Sequence, residues 1–252
     1  MMESSLICLE SEAIIRDNNY KTKKILKFDN NIKIKSYQYY SFPIGIIAAN
    51  TNFYENILIN KFNNIFIGAS FQYYESEYFD WEIFNVKKIE VNKKKIIIEI
   101  IKYICMDFYI NINVNEFFIK SRYAYKNIDN IHDCLIIGYD LENEIFIIVG
   151  NDENGMLSKT SINFEEFYKS VNFQGEYINL IAINLKEDFI ENINKEKLIE
   201  GLIQYCLGDK PTNELGIRDY NNLKFGINAY KEFLKNIQDY NECSEFLIND
   251  IY

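Results

Sequence analysis

The chain is poor in the two residues that break regular structure, with 2 prolines and 10 glycines in 252 residues, and it carries a single histidine and a single tryptophan. Scarce Pro and Gly exclude a low-complexity chain, and 48% hydrophobic with 16% aromatic residues is the composition of a packed globule. No apolar run approaches the ~20 residues that span a bilayer, so no membrane anchor is expected. The opening MMESSLICLESEAIIRDN lacks a basic start followed by an apolar stretch, so export is not expected either. Glycines never cluster at the spacing of a P-loop or a dinucleotide fingerprint.

Five cysteines, Cys8, Cys105, Cys134, Cys206 and Cys243, form no CxxC pair and are odd in number, which points to reduced thiols in the cytoplasm. One histidine with scattered thiols does not make a zinc site, so no metal and no bound cofactor is expected. The net charge of −10 and pI near 4.8 repel phosphate backbones and make nucleic acid an unexpected partner. The basic run Lys93-Lys94-Lys95 fits a solvated turn between apolar stretches.

Apolar periodicity predicts an α+β chain. Residues 1–35 mix a short helical pattern with alternation at Ile32-Lys33-Ile34. From Ser41, apolar residues Ile44, Ile46, Ile47, Tyr54, Ile57, Leu58 and Phe62 recur at helical steps, with Pro43 in the first turn and Ser41 or Phe42 at the N-terminus. Strands are predicted at Trp81–Phe84, Ile96–Ile101 and Phe108–Val114, although the stretch from Ile97 to Ile104 also reads as a helix. Cys105 and Cys134 are placed in strands, as buried and inert thiols. The stretch from Phe71 to Trp81, rich in aromatics, reads as core and sheet edge, or as the lining of an acyl pocket.

Two nearly continuous apolar strands lie within Ile131–Asp152, joined by a turn at Asp140-Leu141-Glu142-Asn143, and belong in mid-sheet. A short helix over Ile162–Val171, begun by Ser161 or Asn163, and a strand over Tyr177–Leu185 follow. Helices over Phe189–Leu207 and Leu223–Tyr240 are separated by the Gly208-Asp209-Lys210-Pro211 breaker, giving a main domain over 1–185 and a helical segment over 186–252. Apolar strands leave a homodimer open.

His132, at the start of a central strand, is the candidate base. Asn151 or Asp152, at the end of the neighbouring strand, is the candidate that fixes its tautomer. Each also has a plain structural reading, His132 as a hydrogen-bonded core residue and Asn151-Asp152 as turn residues. The nucleophile belongs at a helix N-terminus, where backbone N–H groups lower a thiol pKa, and the matching residue is Ser41, itself an ordinary helix cap.

The order of elements, with Asn113-Val114-Asn115-Glu116-Phe117-Phe118, Tyr125, His132, Gly138-Tyr139-Asp140 and Phe225-Gly226-Ile227, resembles the butirosin-biosynthesis-protein-H-like family, a branch of the papain-like superfamily, over about Ser41 to Tyr240. The resemblance implies a papain-like α+β fold, with an N-terminal helix packed on an antiparallel sheet and C-terminal helices. It implies an acyltransferase of bacterial specialised-metabolite biosynthesis. Such an enzyme carries an acyl group from the phosphopantetheine thioester of an acyl or peptidyl carrier protein to a small-molecule amine. A cysteine is acylated, a histidine (His132) is the base and an Asp or Asn (Asn151 or Asp152) orients it. The family's cysteine falls near Ser41, Cys8 lies 33 residues earlier, and the family's acidic position is Asn115. Three readings follow: a serine-dependent variant, Cys8 folding back into the site, or a scaffold without catalysis that binds a ligand or partner.

Overall fold

In a computed structural model, residues 21–35, 37–62, 65–67, 71–73, 81–209 and 223–239 are described. Among these, 21–50 and 81–187 form one compact unit, and 51–73 with 188–239 form another. The second unit thus takes in a segment from the first third of the chain as well as the C-terminal region. Cys8, Cys243 and most of the aromatic stretch from Phe71 to Trp81 lie outside the described residues.

The first unit is built on one antiparallel sheet. Its strands are β1 (Lys23–Ile25), then, after two short strands of the other unit, β2 (Ile65–Ile67) and β3 (Phe71–Tyr73), the main strands β4 (Phe84–Asn92), β5 (Tyr109–Asn115), β6 (Ile131–Asp140), β7 (Ile145–Asn151), β8 (Leu157–Asn163) and β9 (Tyr177–Leu185). The order is β4-β9-β5-β6-β7-β8, with β1 also on β6. Along one edge of β6, β5 pairs with Ile131 to Ile136 and β1 with Gly138 to Asp140. The β6–β7 hairpin is central, as its nearly unbroken apolar sequence requires. Its turn is held by the Asp140 carboxylate, which accepts from the backbone of Glu142 and Asn143 at 3.2 Å each. The Lys23 ammonium at 2.8 Å, followed by the Asn143 amide, lowers the Asp140 pKa to about 2. Strand β8 was not anticipated, and Ile32-Lys33-Ile34 is not a strand, although Ile32 is buried.

The helices of this unit are α1 (Gln38–Asn50), α3 (Ile96–Cys105) and α4 (Phe164–Ser170); α2 (Tyr54–Lys61) belongs to the second unit. The predicted strand over Ile96–Ile101 is instead the start of α3. Asn92 accepts from Lys94 N–H and opens a tight turn over Lys93–Lys95, and Ile96, Ile97, Ile100, Ile101 and Ile104 are then buried on one helical face. β-branched composition argued for a strand, and packing of that face overrode the weak propensity. Cys105 consequently ends a helix and is not in a strand. Helix α4 is capped by Asn163, whose side chain accepts from Glu166 N–H at 2.7 Å.

Alternation along the strands shows which helix covers which face. Phe146 packs on Phe164 and Phe167 of α4, with ring centroids 4.7 and 4.9 Å apart. Tyr139, its cross-strand partner, meets Cys105 at the end of α3. Ile148, Ile136 and Cys134 share that face by their spacing from Phe146 and by register. Asp133, Leu135, Val149 and Asn151 point to the opposite face, which α1 covers.

Helix α1 starts at Gln38, three residues before the expected Ser41, and stops at Asn50; Pro43 is its sixth residue and not part of its first turn. The longer helix predicted to run on to Phe62 is two helices, the second being α2. In the second unit β10 (Lys224–Phe225), β2 and β3 form a small antiparallel sheet beside α5 (Lys195–Leu207) and α6 (Gly226–Asp239). Asn60 ties α2 to the approach of α5, donating to Glu191 at 2.6 Å and Asn192 at 2.8 Å and accepting from Asn194 N–H at 3.1 Å. Among the described residues, no helix is long and apolar enough to cross a membrane.

Gly45 sets the distance between α1 and the segment after β1. Asp29 N–H donates to its carbonyl at 3.0 Å, and a Cβ there would lie 2.3 Å from the Phe28 ring and 2.8 Å from the Asp29 carbonyl oxygen. Because one of those neighbours is backbone, relief requires the helix to move. Gly45→Ala is expected to cost about 1–3 kcal/mol, seen as a lower urea midpoint at unchanged slope in chemical denaturation.

Candidate functional site

Pairing between β6 and β7 runs from Asp140↔Ile145 to Leu135↔Val149 and goes no further, although β6 begins at Ile131 and β7 continues to Asn151. The two strands splay at this end of the sheet. Their backbone groups still need partners, because a buried N–H or C=O without one is costly. Side chains supply them.

From the α1 face, the Gln38 amide enters the gap. Complementarity orients it, with its oxygen accepting from Asn151 N–H at 3.0 Å and its nitrogen donating to the Asp133 carbonyl at 2.6 Å. The amide thus replaces a missing rung of the ladder, which is why a glutamine is buried at the head of an otherwise apolar helix. Tyr37, just before it, has φ 57°, in the left-handed region, and its ring stacks on Tyr39 at 5.0 Å.

From the other face comes Arg122, whose side chain is 1% exposed. Its Nη1 donates to the Asn151 carbonyl at 2.5 Å, and its Nε lies 3.6 Å from Glu116 Oε1. Gly150 makes the room, since a Cβ there would fall 2.4 Å from Nη2. Cys134, beside this guanidinium, is fully buried; desolvation pushes its thiol up to about 12 despite the positive charge, so it is inert at neutral pH.

His132 is about half exposed at the open end. Its Nδ1 lies 2.6 Å from Asp133 Oδ1 and 3.1 Å from the Gln38 amide. The short carboxylate contact assigns the Nδ1 proton and leaves Nε2 on the solvent side, with no partner among the described residues. The hydrogen bond that His132 donates to the Asp133 carboxylate is the largest cause of its raised pKa, opposed by partial burial and helped by the charges of Asp133 and Glu116.

The residues singled out from sequence are distributed unevenly about this centre. His132 and Asn151 meet there, but Asn151 joins through its backbone to Gln38 and Arg122. The carboxylate on the imidazole belongs to Asp133, the very next residue. Asp152 accepts from Asn154 N–H at 2.9 Å and Met156 N–H at 3.0 Å and so shapes the β7–β8 turn. Ser41 is fully buried inside α1, its hydroxyl without a hydrogen-bond partner. Cys8 lies outside the described residues, and Asn115 caps the turn at Glu116–Phe118 by accepting from Phe117 N–H. Gln38, Asp133 and Arg122 escaped the sequence reading; His-Asp adjacency was the one signal for any of them. Among the described residues, no group of three or more His, Cys, Asp and Glu side chains is placed to hold a metal ion.

The His132–Asp133 pair gives stability a pH dependence of known sign. A raised folded pKa means the folded chain holds the proton more tightly, so its contribution is fully present below the unfolded value of about 6.5 and fades as pH rises through the folded value. Asp133→Asn is expected to bring the titration of this sole histidine down to or below its ordinary range, followed by the imidazole Cε1–H resonance, and to flatten stability between mildly acidic and mildly alkaline pH.

A scan against protein-family models finds no match to this chain, and no curated protein matches its sequence.

Proposed function

We propose that this chain is a papain-like scaffold that works by binding a ligand or partner protein and carries out no acyl transfer of its own. The observation that supports this reading is the Gln38 amide, which lies 3.1 Å from His132 Nδ1 at the head of α1, where an attacking sulfur or oxygen would have to be. An amide nitrogen has its lone pair delocalised into the carbonyl and cannot take that role. Free Cys105, Cys134 and Cys206 support a cytoplasmic protein. The acyl-transfer reading, with a carrier-protein thioester as donor and an amine as acceptor, draws support from the His132–Asp133 pair and its solvent-facing Nε2.

Incubation with acyl-loaded carrier protein and an amine, read by intact mass, separates the two. The binding reading expects neither a covalent acyl adduct nor an amide product from the natural chain. It also expects Gln38→Cys to create a thiol that iodoacetamide alkylates faster than the exposed Cys206, with the advantage lost on adding His132→Ala. An acyl adduct on the natural chain would sink it.

A further inference from the structure

Beside the Gln38 bridge, two buried oxygens, Asp133 Oδ2 and Asn151 Oδ1, have no hydrogen-bond partner. Asp133 is 8% exposed. Each residue lies two positions beyond the last rung, Leu135↔Val149, so both side chains project from the same face, the one α1 covers. Arg122 reaches the gap from the opposite face, the His132 Nδ1 proton is engaged by Asp133 Oδ1, and the Gln38 nitrogen is engaged by the Asp133 carbonyl. The slot therefore has an acceptor for a ligand N–H at Asp133 C=O, a donor for a ligand C=O at Asn151 N–H, and spare acceptors alongside. One small group matches that set: a primary carboxamide, the group Gln38 itself supplies.

We infer that the gap between β6 and β7 is a carboxamide-binding seat that Gln38 fills as a displaceable self-ligand. A ligand's amide enters when the head of α1 withdraws. Its oxygen takes Asn151 N–H and one N–H takes the Asp133 carbonyl, as Gln38 does now, while its nitrogen also comes within reach of Asp133 Oδ1, 3.2 Å from the Gln38 nitrogen. Tyr37, with φ 57° immediately before Gln38, is the point where the chain is already bent away from ordinary geometry and where the helix head turns out. Exposed Ile131, at the start of β6, and Met156, in the turn that follows β7, offer apolar surface to the ligand's carbon skeleton. The inference rests on the binding reading and names its ligand class as an amide-bearing molecule or an amide-bearing side chain of a partner.

Chemical rescue tests it with propionamide, which reproduces the end of a glutamine side chain, against methyl propionate, which keeps the carbonyl and lacks the N–H. In Gln38→Ala, propionamide is expected to raise the urea midpoint saturably and to shift the Asn151 N–H and His132 Cε1–H resonances, with methyl propionate doing neither. In the natural chain propionamide binds at least about tenfold more weakly, because Gln38 must first be displaced, and on binding it moves the Gln38 side-chain amide resonances. Should Gln38→Ala fold only when propionamide is present, the seat is equally supported. Absence of any response to propionamide in both chains, or an equal response to methyl propionate, overturns it. An acyl adduct in the carrier-protein assay removes the binding reading and the inference with it, whereas a missing propionamide response removes the seat alone, so the two failures are distinguishable.

Discussion

A sheet cannot open between two strands without giving every exposed N–H and C=O a new partner, and that constraint organises this molecule's candidate site. Where β6 and β7 part, two planar side chains enter from opposite faces. Gln38 satisfies Asn151 N–H and the Asp133 carbonyl, and Arg122 satisfies the Asn151 carbonyl. Each entry needs its own accommodation. Gln38 has to begin a helix after a residue in the left-handed region, and Arg122 needs Gly150 for space and Glu116 for charge. The burial of a glutamine, an arginine and an aspartate at one end of an apolar sheet follows from this single opening.

Much of the scaffold was legible in the residues. The strand over Tyr177–Leu185 and the hairpin within Ile131–Asn151 were evident because each alternates or runs apolar over a length that fits a strand, and Asn163 announced its helix by chemistry that acts over three residues. Helix α3 was legible in its period and misleading in its isoleucines. The division of the chain into units was not legible at 51–73, since nothing local to that stretch says which core it will join. The site was legible only in part. His132 stood out as the sole histidine at the head of an apolar strand, whereas Gln38 and Arg122 are buried by partners 94 to 113 and 29 residues away respectively. Periodicity registers apolar faces, and a polar side chain that enters the core to complete a distant backbone leaves no such trace.

The electrostatics follow from the same opening. Neighbours in a strand point to opposite faces, so His132 and Asp133 should not meet. They meet because the β7 side of β6 has no paired strand at their level, and the imidazole bends around that free edge to the carboxylate. Cys134, one residue further along and fully enclosed, shows the opposite outcome: its thiol rises to about 12, while the imidazole two residues before it keeps one nitrogen in water. Distance from the splay, counted in single residues, thus separates a group able to exchange protons from one that is inert.

Such an arrangement bears on chemistry and binding in different ways. General-base catalysis requires a ring nitrogen with a nucleophile against it and little else competing for it. Here Nδ1 is held by Asp133 and abutted by an amide, and the candidate serine of α1, Ser41, is fully buried with its hydroxyl unpartnered. Binding requires only donors and acceptors that a ligand can take over, and at the splay the contacts Gln38 makes are already those of an amide. A glutamine at this position closes the open ladder as a cysteine could not, and under the binding reading proposed above it also holds the strands in the conformation that a similar group would need.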